Sequence, residues 1–563
     1  MIDQSKRGLV EALESRRLLA SFLVTTVADA GPGSLRDAIT QANATPAPDT
    51  VSFALGGIAP HTIVLNSPLP TITQPLTTDG TTQLGFAGAP IVRVDGSALL
   101  PALSVGLSIY APGVTVRGLA FTSFQTGLRT SGNATQVVGN YFGMLSNGMT
   151  RTPMGRGVVV TGGANTVIGG AVAGDRNVFA FGSYSDPGIG VQVSQAEGVA
   201  VLGNYFGTTA NGMMPNGSIG VGVVFDGDST GEIGRSNATG NVIAGIQGPG
   251  VVLDWAGVVM AGNRIGLNAF NMPLGNSSHG VLVTDGHHVI DAGLNYDAPN
   301  NIAHNGGDGV CVPGPEGVVS ITQNSIFGNG ELGIDLGDNG INVNDLGDFD
   351  TGPNGLQNYP VISDAWKLPN GKVRFRGNLN SLANEDYYID FYAQMTHSPT
   401  FYGEGETFIG TEIIHVKPNG AGEWDFISNG NYPVGLFLTT TAEHTSNTGT
   451  SEFSRSFRVY LPGDANGDGV VNNQDIYAFV LALTHPFDYG VEFPDQPIIS
   501  CDLNDDGVVN NQDIAPFVDL LTSLRPVATP DATRIAKAPV LSRTFAEWAL
   551  ELRSEPEVLA TLA

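Results

Sequence analysis

The pentapeptide GNYFG at residues 139–143 returns unchanged at residues 203–207, followed by GNRIG at 262–266 and QNSIFG at 323–328. The asparagines of these motifs, Asn140, Asn204, Asn263 and Asn324, lie 64, 59 and 61 residues apart. A second series keeps step with the first: NVFAFG from Asn177, NVIAGI from Asn241 and NIAHNG from Asn301. A third consists of short runs such as GVVV from Gly157, GIGVQV from Gly188, GVGVVF from Gly220, GVLV from Gly280 and GVCV from Gly309. Apolar runs this short, broken by Gly and Asn about every ten residues, read as strands separated by turns. A period of about sixty then corresponds to two or three coils of a solenoid, each holding two or three strands. Asn recurring at one turn position fits a side-chain amide ladder along the stack, and Asn tolerates the left-handed backbone of such turns. A propeller would need longer amphipathic strands and recurrent aromatic signals, which the repeats lack. The expected fold is mainly β, a right-handed parallel β-helix over residues 22–362.

Composition agrees. Of 563 residues 76 are Gly, only 14% are charged and 8% aromatic, which suits a turn-rich β-architecture of several domains. The formal net charge of −28 argues against nucleic acid or an anionic membrane as partner. No run of eighteen apolar residues suggests a transmembrane segment. Cys311 and Cys501 fall in different predicted domains without metal-ligand companions nearby in sequence, so they read as free buried thiols.

The sharpest chemical signal lies near the C-terminus. Residues 464–475 and 502–513 both read Asp-x-Asn-x-Asp-Gly-x-Val-x-x-x-Asp, and GVVNNQDI at 469–476 is identical to 507–514. Calcium takes six to eight oxygen ligands, which a twelve-residue loop supplies from positions 1, 3, 5, 7, 9 and 12. In the first copy these are Asp464, Asn466, Asp468, the Val470 carbonyl, Asn472 and Asp475. In the second they are Asp502, Asn504, Asp506, the Val508 carbonyl, Asn510 and Asp513. Gly469 and Gly507 take position 6, where the turn needs a residue without Cβ. Position 12 is Asp in both, where Glu is usual. Each loop runs into an apolar helical stretch, IYAFVLAL from Ile476 and IAPFVDLL from Ile514. Two Ca2+ ions are expected.

This duplicated loop-plus-helix unit resembles a type I dockerin, the calcium-folded module by which bacterial carbohydrate-active proteins dock onto a cohesin. The resemblance covers 462–524 within a unit bounded at 460–526, and it implies two EF-hand-like loops and a cohesin-like partner. It assigns partner contact to Asn473, Gln474, Asn511 and Gln512, polar amides where a small hydroxyl pair is common. The repeated stretch resembles the solenoid of pectin-lyase-like proteins. Its opening segment, with SLRDA at residues 34–38, resembles the Ser-Leu-Arg-Glu-Ala element of bacterial β-helix proteins, with Asp37 for the glutamate. There Ser34 reads as an N-cap, with Leu35, Ala38, Ile39 and Ala42 on one helical face, a helix that covers the open first coil. Residues 363–459 alternate apolar and polar over six or seven strand candidates, an immunoglobulin-like sandwich. FYGEGETFIGT and HTSNTGTSEFS resemble segments of the sandwich that follows such β-helices.

Before the sandwich, Asp335, Asp338, Asp345, Asp348 and Asp350 crowd into sixteen residues, as a further calcium site or as a turn network bonding backbone amides. Residues 1–21 carry LESRRLLA, similar to a short sorting motif of exported bacterial proteins or else a small amphipathic helix. Residues 527–563 read as a linker and terminal helix. The module and the acidic charge suit an extracellular or cell-surface location. For the β-helix, Asp226, Asp228, Asp254 and the His287–His288 pair are the candidate polar residues, none matching a catalytic template. Two functions follow: a non-catalytic calcium-binding scaffold that docks a protein or carbohydrate, or a polysaccharide lyase or glycoside hydrolase.

Overall fold

In the computed structural model the described residues are 20–523, apart from 47, 101–103, 183–187, 218, 292–297, 397 and 447–448. The sorting motif of residues 1–21, except its last two positions, and the tail 527–563 lie outside them. Three parallel sheets of eleven, ten and nine strands run along the solenoid, and from the strand Val105–Ile109 onward each coil contributes one strand to each sheet. The fold is a parallel β-helix. In the first sheet Val137, Ile168, Val201, Ile233, Met260, Ile290 and Ile321 pair in register. In the third, Val158, Val191, Val223, Val251, Val281, Val310 and Ile334 do the same. All of them point into one continuous core, because alternate residues of a strand face opposite sides.

The two asparagine series belong to a single ladder. Asn140, Asn177, Asn204, Asn241, Asn263, Asn300 and Asn324 stack coil upon coil, each side-chain Nδ2 donating to the next Oδ1 at 2.8–3.2 Å. Each Oδ1 also accepts the backbone N–H of the preceding ladder residue, as Asn241 does from Asn204 at 2.9 Å. The ladder takes Asn300 in place of the expected Asn301, which begins the neighbouring strand. Successive steps are 37, 27, 37, 22, 37 and 24 residues. Long and short coils alternate, so the sixty-residue repeat is two coils. The long coils carry small excursions, closed by the Met144–Arg151, Thr208–Pro215 and Leu267–Pro273 bridges. These stack on one another through Ala210 N–H to Gly148 O and Ala269 N–H to Gly212 O, both 3.0 Å. Beside the ladder Phe121, Phe142, Phe179 and Phe206 form a buried stack with centroids 4.6–5.4 Å apart.

Both ends of the stack are covered. At the N-terminal end helix α1 (Leu35–Asn43) buries Leu35, Ala38, Ile39 and Ala42, with Ser34 accepting from the Asp37 N–H. At the other end stands a β-sandwich of two antiparallel sheets. One holds Val361–Lys367, Lys372–Asn380 and Ala421–Asn431; the other holds Thr407–His415, Asp386–Gln394, Phe437–His444 and Phe457–Arg458. Its Tyr392 and Phe453 complete the β-helix core. Three buried glutamates of the sandwich each meet the last strand of one sheet. Glu443 accepts the Ser320 hydroxyl, Glu404 the Gly328 and Asn329 N–H groups, and Glu452 the Leu336 N–H. The module contributes α2 (Asp475–Thr484), α3 (Pro486–Glu492) and α4 (Ile514–Ser523).

Asn204→Ala would strand the buried Asn177 N–H and break the ladder at its middle. We expect a loss of about 2–4 kcal/mol in denaturant unfolding, against less than about 0.5 kcal/mol for Asn147→Ala at an exposed turn. Burial also pushes Glu443 and Glu452 up to about 7. A carboxyl raised in the folded state stabilises at low pH and loses that contribution as pH rises through its folded pKa. The melting temperature should therefore fall between pH 5 and pH 8, and Glu443→Gln should flatten that slope. A flat wild-type profile would contradict the assignment.

Candidate functional site

The two acidic loops adopt one geometry. Asp464 accepts the Asp468 and Gly469 N–H groups at 3.1 and 2.8 Å, and Asp502 accepts those of Asp506 and Gly507 at 3.3 and 2.7 Å. At position 12, Asp475 accepts the Asn466 and Asn472 N–H groups at 3.1 and 2.8 Å, and Asp513 those of Asn504 and Asn510 at 3.2 and 2.8 Å. Asp468 and Asp506 each accept the N–H two residues on, from Val470 and Val508. Asn472 and Asn510 likewise accept from Gln474 and Gln512, closing the loop onto its helix. Gly469 and Gly507 have φ of +88° and +83°, where a Cβ would be strained. Burial together with the neighbouring carboxylates of Asp475 and Asp468 raises Asp464 above the usual carboxylate range. The side-chain groups that face each loop are carboxylates and amides, whose oxygens are of the kind hard cations prefer to soft metals.

The copies also meet in space. The equivalent residues Phe479 and Phe517 stack at 3.9 Å in the module core, which Cys501 joins as a buried thiol. Asn473, Gln474, Asn511 and Gln512 are all exposed at the helix starts. Next to them Ile476 and Val480 on α2, and the equivalent Ile514 and Val518 on α4, are 45–49% exposed. Only one side of each apolar helical run is spent on the module core, with Ala478, Phe479 and Ala482 of α2 and Phe517 of α4 buried.

A second site lies on the side of the β-helix. A cleft of about 610 Å³ is lined by Asp228, Trp255, Ala256, Gly257, Asp285, Gly286, His287 and Glu316. These residues sit at the turn that leads from the third sheet to the first in successive coils. The Trp255 backbone is left-handed, φ +46°, a conformation costly for a bulky residue, and its indole is 58% exposed. The Trp255 carbonyl is held by the Asp228 N–H at 2.6 Å. Of the polar residues singled out from sequence, Asp228 and His287 reach the cleft. Asp226 instead accepts from Gln192 at 3.0 Å and Asp254 from the Thr284 hydroxyl at 2.7 Å. His288 is buried, its Nε2 2.9 Å from the Asp285 carbonyl. Trp255, Asp285 and Glu316 were missed, since their common turn is visible only once the coil register is known.

The aspartates ahead of the sandwich bond backbone amides. Asp335 accepts from Asn339 and Gly340, Asp345 from Phe349 and Asp348 from Asn358. Asp345, Asp348 and Asp350 also bring ligand atoms within 4.8 Å of one another, and burial pushes Asp348 up to about 6.

No protein-family model and no curated protein matches the chain. Among solved structures it is similar to the enzymatically active domain of bacteriophage CBA120 tailspike protein 2, at 10% identity over 75% of this chain and 73% of that one, TM-score 0.26. It is similar also to the Acinetobacter baumannii phage AM24 tailspike, at 13% identity over 74% and 69%, TM-score 0.28. The catalytic domain of a GH87 alpha-1,3-glucanase in complex with nigerose follows, at 12% identity over 54% and 69%, TM-score 0.19. Similarity this low carries no argument about either site, and the chain's own geometry must supply it. Among the described residues no helix is long and apolar enough to cross a membrane.

Proposed function

We propose that this chain acts on a polysaccharide at the cleft around Trp255 and is held to a protein partner by its calcium-loop module, outside the cell or at its surface. The observation that carries the first half is an exposed indole set among Asp228, Asp285 and Glu316 in one cleft. A sugar ring presents an apolar C–H face that stacks on such an indole, while hydroxyls hydrogen-bond to flanking carboxylates. Two of those carboxyl groups on either side of a glycosidic bond would supply general acid and base or nucleophile. The chain's net charge of −28 and the cleft's own carboxylates repel polyuronates, so a neutral glycan is the favoured substrate.

The second half rests on the duplicated apolar strip of Ile476, Val480, Ile514 and Val518 beside the Asn-Gln pairs, a surface suited to a cohesin-like protein. In this reading residues 22–362 are the β-helix domain, 363–459 an Ig-like spacer and 460–526 a type I dockerin with two bound Ca2+ ions. Because both copies offer the same junction, a partner can engage either one in opposite orientations.

A panel of neutral and acidic polysaccharides tests the cleft. Turnover of a neutral glycan should fall by at least about 100-fold in Asp285→Asn or Glu316→Gln, and Trp255→Ala should weaken binding. Binding lost in Trp255→Ala without turnover by the wild type would make the cleft a binding site only; no binding at all would remove it. For the module, hydrogen exchange of peptides from residues 462–523 should be slow in millimolar calcium and fast with chelator. The double variant Asp468→Ala, Asp506→Ala should exchange fast in both, and protection indifferent to calcium would refute the metal assignment.

A further inference from the structure

Cys311, expected from sequence to lack metal-ligand companions, is surrounded by them. Its strand neighbours Val310 and Val312 point into the β-helix core, so by alternation Cys311 faces the outer side of the third sheet, paired with Leu282 on one side and Asp335 on the other. There His279, Asp308, Cys311 and Asp338 each bring a ligand atom within 4.8 Å of the other three. The four residues come from successive coils. His279 precedes the strand Val281–Val283, Asp308 and Cys311 belong to the next rung, and Asp338 follows the last, Ile334–Leu336.

Independent evidence comes from Asp308, which is fully buried. Its Oδ1 accepts the Leu332 N–H at 2.8 Å, while its Oδ2 meets no hydrogen-bond partner beyond the His279 ring and the Cys311 thiol beside it. The polar atom facing Oδ2 is His279 Nδ1 at 3.0 Å. That nitrogen already accepts the backbone N–H of Asp308 at 3.1 Å. Nδ1 cannot both accept that N–H and donate to Oδ2, so whichever tautomer the neutral imidazole adopts, one buried polar group of Asp308 lacks its partner there. Leaving a buried polar group unpaired costs free energy, and a cation held at Oδ2 would give that oxygen a partner.

We propose that His279, Asp308, Cys311 and Asp338 form a binding site for a divalent transition metal of the Zn2+ class. One thiolate, one imidazole and two carboxylates make a borderline-soft donor set that Ca2+ and Mg2+ do not favour. Ligand atoms of a tetrahedral zinc site are about 3.3–3.8 Å apart, so shifts of about 1 Å in His279 and Asp338, the two less buried members, close the site. A metal here would staple the last three coils of the β-helix just ahead of the sandwich.

The test uses the full chain, stripped with chelator and then titrated with Co2+ in excess Ca2+ so that the all-oxygen loops are filled. One Co2+ per chain should bind with a thiolate-to-cobalt charge-transfer band in the near ultraviolet and strong visible bands of four-coordinate cobalt, all discharged by Zn2+. Cys311→Ser should lose the charge-transfer band, while Cys501→Ser should keep it. Asp338→Asn, a change at an exposed position that the fold tolerates, should keep the band and weaken binding by more than about tenfold. A wild type without the band would mean that a proton on His279 settles the Asp308 conflict, and the proposal fails. It fails equally if the band follows Cys501, or if Asp338→Asn binds Co2+ as tightly as the wild type.

Discussion

A stack of identical coils has a problem only at its ends. Within the stack every strand finds partners above and below, and every ladder asparagine finds the next. The first and last coils leave a row of backbone N–H and C=O groups and one open ladder rung, which would template aggregation. This chain covers one end with a helix and the other with a folded domain. At the C-terminal end a short second ladder, Asn276–Asn305–Asn329, stops at Glu404 of the sandwich, whose carboxylate takes both the Asn329 N–H and its side-chain amide. Glu443 and Glu452 do comparable work on the other two sheets. Burying three acidic groups at one junction is costly, and it is tolerable because each meets donors that a bare sheet edge would otherwise leave unpaired.

The asparagine ladder explains both what could be read from the sequence and what could not. Side chains that stack must recur in register, so Asn140, Asn204, Asn263 and Asn324 stood out at once. Of the intervening rungs, Asn177 and Asn241 were visible but were taken for a parallel series, whose third member was read as Asn301 where the rung is Asn300. The reason is physical: excursions such as the one closed by Met144 and Arg151 lengthen every second coil to 37 residues, so the strongest repeat in the sequence skips a rung. The capping helix was legible to the residue, because Ser34, Asp37 and the Leu35–Ala42 stripe act locally. The glutamates that close the other end were not. Glu404 and Asn329 are 75 residues apart, and nothing local marks a glutamate that will be buried against a distant coil.

The same division between local and non-local signals governs the sites. The twelve-residue loops declare themselves because all their oxygens lie within one loop. The cleft is written one residue per coil, Asp228, Trp255, Asp285 and Glu316, and each alone looks like an ordinary turn residue. Asp226 and Asp254 drew attention by type but stand on strands or strand ends where Gln192 and Thr284 already occupy their oxygens. His279 lies a full coil before Asp308 and Cys311 in the same way, and Asp338 a full coil after them. Their spacing in sequence resembles no metal motif, and only the pairing of Leu282 with Cys311 brings the rungs together.

A solenoid therefore builds sites by column, and this constrains what its columns may hold. A residue that recurs at one turn must either bond its copies, as Asn does, or face solvent without clashing with them. In the column of Trp255 the neighbouring coils supply Asp228, Asp285 and Glu316, acidic in place of further aromatics, so the indole stands free in a cleft and is not buried in a stack like Phe142. Trp255 holds a left-handed backbone that most side chains avoid, next to Asp228 in the same conformation at +61°. Strain of this kind persists only where the surrounding ladder hydrogen bonds over-determine the turn. The backbone bonds at this turn, Asp228 N–H to the Trp255 carbonyl at 2.6 Å and Gly257 N–H to the Ser229 carbonyl at 2.8 Å, are thus what permit an exposed, strained aromatic on the outer surface.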